Sequence, residues 1–430
     1  MPGFTFSIAA AVCAAVFIFS DAVEAADSEA LTKNQIKEQL KTVTVEERAE
    51  AISRADVFVS KISRIHNESP QKISEVDMVQ ELVSVCGPQY SYSNKAEKPN
   101  VGWPTLDCTY HQDNRSLSGA TRKFYCTFKE KNKKGEEVLK RRKVKYTTFF
   151  RISKSELVPT IMASTMASLL GFHTERYCPA KIRCQNCPSS DPWEDNRASA
   201  PPSNETHEFD YAMVEMPADL MTITPNTPRE SEFVPHGLKW EELKLVKDTE
   251  SKTARERAIE REAWLLWVNF LADTDALFFN QRISCDKVEI ISGKAFCLKP
   301  VVYGHDYGHA FHFRFNYERW RVHAPLLSAE NGTCRGGLTD KLLKSERGKS
   351  QDGLHVSPVI SAEARDLLVS RMRNVSDKQW RDIMRISNAP RLYRDVSPDD
   401  FVQAMKAKIE FMSQVQCAGF DSKTSVLSLH

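Results

Sequence analysis

After its first stretch, the 430-residue chain has no apolar run that approaches membrane-spanning length, so no transmembrane segment is expected in the mature protein. Net charge is also scarce. The 59 Lys and Arg against 57 Asp and Glu leave +2, too mild for a nucleic-acid binder, whose domain would be strongly basic. No internal repeat occurs. Nor does any Lys or Arg precede the one long apolar run, residues 4–19, where only the α-amino group supplies positive charge.

That run has the length of a signal-peptide core rather than of a membrane span. Val23 and Ala25 place small residues at −3 and −1, so cleavage is expected after Ala25. A retained N-terminal anchor is the alternative. Of 11 cysteines, Cys13 lies inside the run and leaves with it, and the even remainder reads as a disulfide framework. Together these features predict an exported protein, periplasmic or extracellular. Loss of Asp21 and Glu24 moves the mature charge to +4 (2 + 2). The remaining length is enough for two lobes.

The expected organisation is a signal peptide over 1–25, a helical extension and linker over 26–100, and two lobes over 101–220 and 221–430. In the extension, Thr44 with Glu47 forms a capping box, and Ser69-Pro70 opens a second helix carrying Ile73, Val76, Val79, Leu82 and Val83. Short β-type runs follow at 106–110, 123–128 and 138–146. Cys108 and Cys126 fall in the first two, where a cross-strand bridge is geometrically reasonable. A helix beginning near Pro159 ends at Gly171. Next come the cysteines Cys178, Cys184 and Cys187, a polar loop, and a strand over 211–216. A long helix over 254–272 leads to two strands that Cys285 and Cys297 would tie together. Helices starting at Ser376 and at Ser397-Pro398 close the chain. Strands, a helix, one further strand, then a helical lobe with an inserted hairpin is the order of a two-lobed kinase. The predicted fold class is therefore α+β: a protein-kinase-like fold with a strand-rich N-lobe and a helical C-lobe, preceded by a helical segment.

Phosphoryl transfer from ATP needs metal held on the phosphates and an oriented acceptor hydroxyl. Asp275 and Asn280 follow the long helix at Asp-x4-Asn spacing, and Asp306-Tyr307-Gly308 follows the hairpin. In protein kinases the first Asp faces the acceptor, while the Asn and the later Asp hold metal. Lys143 and Lys145 share one face of the third strand, so periodicity does not choose between them. Lys145 is taken as the phosphate lysine, with a solvated basic face as the alternative. Ser118-Gly119-Ala120 either presents backbone N–H groups to phosphate or is a plain hairpin turn. Glu215 sits where a hinge would meet adenine. A different chemistry is also open. His305, Asp306, His309 and His312 combine imidazole with carboxylate, a metal-ligand set. Cys184 and Cys187 suggest either zinc, with Cys178 and His173, or a disulfide, and export favours the disulfide.

The chain resembles the atypical kinase superfamily that joins phosphatidylinositol-kinase-like, HipA-type and secretory-pathway kinases, and more closely a group of secreted bacterial proteins within it. The resemblance covers about 101–387. It rests on Gly119-Ala-Thr-Arg-Lys-Phe, Lys143-Val-Lys-Tyr, Leu169-Leu-Gly-Phe, Cys184-Gln-Asn-Cys-Pro, Asp275 through Asn280-Gln-Arg, and Asp306-Tyr-Gly. Val359-Ile-Ser-Ala-Glu-Ala-Arg and Val375-Ser-Asp-Lys-Gln extend it. It implies an ATP-grasping fold, with Mg or Mn as metal and Asp275, Asn280 and Asp306 as catalytic and metal residues. Three departures stand out. Thr160 occupies the place of the helix glutamate that would pair the lysine, Asp273 stands where such families often have His, and Leu277 where the group tends to be basic. The expected function is an exported ATP-dependent phosphotransferase on an unidentified acceptor: protein, glycan, lipid or small molecule. The alternatives are a degenerate pseudokinase that binds a partner and a His/Asp metal protein.

Overall fold

The computed structural model describes residues 31–58, 71–74, 76–86, 103–113, 121–131, 134–148, 151, 155–193, 200–216, 220–223, 252–273, 280–311, 316–322, 327–330, 333–336, 359–393 and 396–419. Helices α1 (Lys33–Leu40) and α2 (Val45–Arg54) both start at capping boxes, built by Thr32 with Gln35 and Thr44 with Glu47. Each box satisfies two N–H groups that the first helical turn leaves without partners. The helical pattern that follows is split into α3 (Gln71–Ser74) and α4 (Met78–Cys86).

Five strands come next in space: β1 (Thr105–His111), β2 (Lys123–Lys131), β3 (Glu137–Thr147), β4 (Arg176–Gln185) and β5 (Thr206–Met216). They close into a barrel of order β1-β2-β3-β5-β4. Its neighbours are antiparallel except at the seam, where β1 runs parallel to β4 with Cys108 opposite Cys184. Inside, Phe124 and Phe209 pack with ring centroids 5.0 Å apart, and Tyr146 meets Phe209 at 4.8 Å. Helix α5 (Leu157–Leu169), between β3 and β4, is buried along nearly its whole length.

Beyond the barrel, β6 (Met221–Thr222), β7 (Gln281–Ile291) and β8 (Lys294–Gly304) form a second sheet, with α6 (Lys252–Phe270) preceding β7. After α7 (Tyr317–Val322), a third sheet joins β9 (Leu327–Glu330), β10 (Thr333–Gly336) and β11 (Val359–Ile360). Helices α8 (Ala362–Arg373), α9 (Asp377–Ile386), α10 (Ala389–Leu392) and α11 (Pro398–Gln414) complete the described residues. Phe270 meets Trp320 edge-on at 6.0 Å, and Trp320 stacks on Phe401 at 5.8 Å, tying α6 to α11. A single hydrophobic cluster runs from Leu40 to Met412 and includes residues of the extension, the barrel and the late helices. Five disulfides join Cys86–Cys178, Cys108–Cys126, Cys184–Cys187, Cys285–Cys297 and Cys334–Cys417.

The chain is mixed α and β, but the two-lobed kinase-like fold class expected from the order of elements is overturned. A closed mixed barrel with two separate small sheets replaces the strand-rich lobe and helical lobe. The physical reason lies in β4. In the sequence its residues read as a cysteine-bearing connection, which gives one strand too few, and the parallel β1–β4 seam that closes the barrel leaves no local signal. The hairpin β7–β8 is also no simple insertion into a helical lobe, since it pairs with β6 and Asp56 bridges to Val301.

Candidate functional site

Pleat alternation puts Lys143 and Lys145 on one face of β3. Lys123 lies directly opposite Lys145 on β2, so three lysines share that surface. Lys145 is 1% exposed, and its Nζ donates to Asp306 Oδ1 at 2.7 Å. The Tyr177 ring lies 5.6 Å from the same ammonium. Lys143 pairs with Glu215, one residue from the end of β5. The Tyr177 hydroxyl donates to Glu175, whose Oε2 stands 3.1 Å from His305 Nε2. Glu156 accepts from the Thr121 hydroxyl and lies 3.5 Å from His309 Nε2.

The turn after β8 aims Asp306 at the barrel. The His305 N–H donates to Asn280 O at 2.9 Å, and the Phe311 N–H donates to Leu271 O at 2.6 Å, so the turn is held at both ends. Asp306 itself sits at φ 54°, a left-handed conformation uncommon for a residue with a side chain. Such strain persists where surrounding contacts over-determine it, and it clusters at functional sites. Tyr307 is fully buried, and its hydroxyl accepts from Thr174 Oγ1 at 3.4 Å.

The electrostatics follow from this crowding. Burial works against the Lys145 ammonium, but Asp306, Glu215, Glu156 and Glu175 outweigh it and hold its pKa above the ordinary lysine value. Burial likewise works against the Asp306 carboxylate, and Lys145 and His305 outweigh it, so Asp306 stays ionised well below the usual carboxylate range. Glu215 is pushed up, first by burial and then by the Glu175 carboxylate. Burial, with Arg282 adding to it, keeps His305 neutral far below its usual pKa. Lys123 is lowered to about 8 by burial and by Lys145.

Of the residues singled out from sequence, Lys143, Lys145, Glu215 and Asp306 meet in this cleft. Asn280 is bonded through its backbone to His305, one residue from Asp306. Ser118, Gly119 and Asp275 lie outside the described residues, as does His312. The chain brings Cys108 to Cys126 and Cys285 to Cys297. His305 and His309 turn to different carboxylates and do not converge with Asp306 on one point. Thr160 is buried, with no hydrogen-bond partner for its Oγ1 among the described residues. Sequence reasoning missed Thr121, Lys123 and Tyr177. Tyr177 had a findable signal. Cys178, Ala180, Ile182 and Cys184 are all buried, the period-two mark of the strand that carries it.

No family model matches the sequence, and no curated protein matches it. Among solved structures, the crystal structure of a Helicobacter pylori proinflammatory kinase, CtkA, is similar over 72% of this chain and 97% of that one, at 10% identity and a TM-score of 0.38. This is a distant kinase-like resemblance, too remote to carry an argument about fold or chemistry.

Proposed function

We propose that the protein is an exported ATP-dependent phosphotransferase. Lys145 positions the phosphates, Asn280 and Asp306 hold Mg or Mn, and Asp275 orients the acceptor hydroxyl. The observation that supports the reading is the Lys145–Asp306 ion pair, at 2.7 Å across 161 residues of chain. Phosphoryl transfer rests on positioning and charge stabilisation, and it needs a phosphate cation beside a metal-holding carboxylate. An ionised carboxylate and a side-chain amide both offer oxygen donors suited to Mg or Mn. The bound metal would neutralise phosphate charge. Ser118 and Gly119 would offer backbone N–H groups to the same phosphates. Glu215 is engaged by Lys143, which favours a role in holding that lysine over one at adenine. The disulfides fit export. Among the described residues, no helix is long and apolar enough to cross a membrane.

A second reading, a nucleotide-binding protein without turnover, is favoured by the buried Thr160 in place of a helix glutamate. One melting experiment tests the common part of both readings. Ligand at about 100 times its dissociation constant stabilises a fold by about 2.7 kcal/mol, so saturating ATP with Mg or Mn should raise Tm clearly. Asp306→Ala should abolish the rise. An unchanged wild-type melt sinks both readings. Phosphate release or transfer by the wild type, lost in Asp275→Ala with nucleotide binding kept, separates enzyme from binder.

A further inference from the structure

Glu175, Glu215 and His305 form a second constellation beside the Lys145–Asp306 pair. Each offers one ligand atom, and the three atoms lie within 4.8 Å of one another. Two ligands of one tetrahedral ion, each held at about 2.1 Å, stand roughly 3.4 Å apart, so small side-chain movements bring the three atoms onto one ion. Glu175 immediately precedes β4, Glu215 lies near the end of β5, and His305 follows β8. The Glu175 N–H donates to Gly304 O at 3.0 Å, which fixes two of the three segments side by side.

One further observation points to a ligand here. His305 Nδ1 is buried and has no hydrogen-bond partner among the described residues. Buried polar atoms are nearly always satisfied, and exceptions mark an absent water or ion. His305 is nine-tenths buried, and a neutral imidazole is the ligating form.

We propose that Glu175, Glu215 and His305 bind one divalent ion, Zn2+ or Mn2+, at a site separate from any metal carried by Asn280 and Asp306. One imidazole with two carboxylates lies between the oxygen-only set of Mg2+ and the thiolate sets of softer ions. The ion takes over from Lys143 as the counter-charge of Glu215 and releases the Lys143 ammonium to the cleft. Binding requires no nucleotide, so it is measured on the full chain alone and stands or falls apart from phosphotransfer.

The test is calorimetric titration of chelator-treated, metal-free protein with ZnCl2 and with MnCl2, followed by elemental analysis of the desalted complex. The expected result is one ion per chain for at least one metal. His305→Ala should abolish binding, and Glu175→Gln and Glu215→Gln should each weaken it about tenfold or more. His309→Ala, which faces Glu156 instead, should bind as the wild type does. If His305→Ala does not fold, the two isosteric Gln variants carry the test. The proposal is overturned if the wild type takes up neither ion, if the Gln variants bind as tightly as wild type, or if His309→Ala loses the ion.

Discussion

Gly308 lies so close to Glu156 that a Cβ on the glycine would stand 2.8 Å from both Cβ and Cγ of the glutamate. The turn that carries Asp306 and the start of α5 are thereby packed as one unit, and only glycine fits the contact. Gly308→Ala must push Glu156 off Thr121 and His309. Overpacking of this kind typically costs about 1–3 kcal/mol, so a clear drop in Tm is expected. A Gly308→Ala protein that melts with the wild type would contradict the packing.

Lys145 and Lys143 share a strand face but not a partner, and this separates their roles. Lys145 is held by Asp306, whereas Lys143 is held by Glu215. If Lys145 positions the phosphates, Lys145→Met should abolish the rise in Tm given by ATP with Mg, because it removes the cation beside Asp306. Lys143→Met should reduce that rise only in part. Equal loss in the two variants would put both lysines on the phosphates and remove the distinction.

Local structure was legible in the sequence wherever a residue type has one dominant use. The capping boxes at Thr44, Ser376 and Ser397 start helices, and the strands over β1 to β3 fall within a few residues of the runs that marked them. Global closure was not legible. No period distinguishes a strand that joins a seam from one that ends a sheet, and Thr105 opposite Lys181 is a contact between residues far apart in the chain. The cleft was half legible for the same reason. Lys145 and Asp306 stood out by type and order, while Glu175 and Tyr177 reach the site through β4, whose pairing fixes their position.

Stability should fall on mild acidification because of His173. Burial, with Lys299 adding to it, lowers its pKa to about 4 in the folded chain, against an ordinary value of about 6.5. As pH drops below about 6.5 the unfolded chain takes up the proton first, so the unfolded state is favoured, and the loss levels off below about 4. At about 1.4 kcal/mol per pH unit the total is roughly 3 kcal/mol. His305 shifts in the same direction and adds to the slope. Denaturant midpoints measured from pH 7 to pH 4 should show the decline, and His173→Gln should flatten it. A wild-type midpoint that holds steady over this range would mean His173 is not buried neutral.

Cys86–Cys178 should be, with Cys334–Cys417, one of the two most stabilising bridges, because these close the longest loops. It spans 92 residues and ties α4 to β4, whereas Cys285–Cys297 spans 12 within one hairpin. In the chain-entropy model the long loop is worth about 4.6 kcal/mol and the short one about 2.8 kcal/mol. The double variant Cys86→Ser/Cys178→Ser should therefore lose more stability than Cys285→Ser/Cys297→Ser. Peptide mapping of unreduced protein should recover all five pairs, and free thiols at Cys86 and Cys178 would break the argument.

Thr160 offers Lys145 no carboxylate, and two glutamates elsewhere do. Glu156, one helical turn earlier, and Glu175, at the start of β4, both act on the Lys145 ammonium. Positioning of that lysine is where phosphotransfer would gain most of its rate. Glu156→Gln and Glu175→Gln should each leave nucleotide binding measurable while lowering any turnover. The double variant should fall no further than the product of the two effects if each glutamate holds the lysine separately. Thr160→Glu, which sequence logic alone would offer as a repair, should do the opposite. Thr160 is fully buried within α5, so a carboxylate there enters a packed interior that already holds four acids near the cleft. Burying an unpaired charge costs several kcal/mol, so the variant should lose stability and gain no activity. A Thr160→Glu protein that melts normally and turns over faster would show that Lys145 lacks its partner after all.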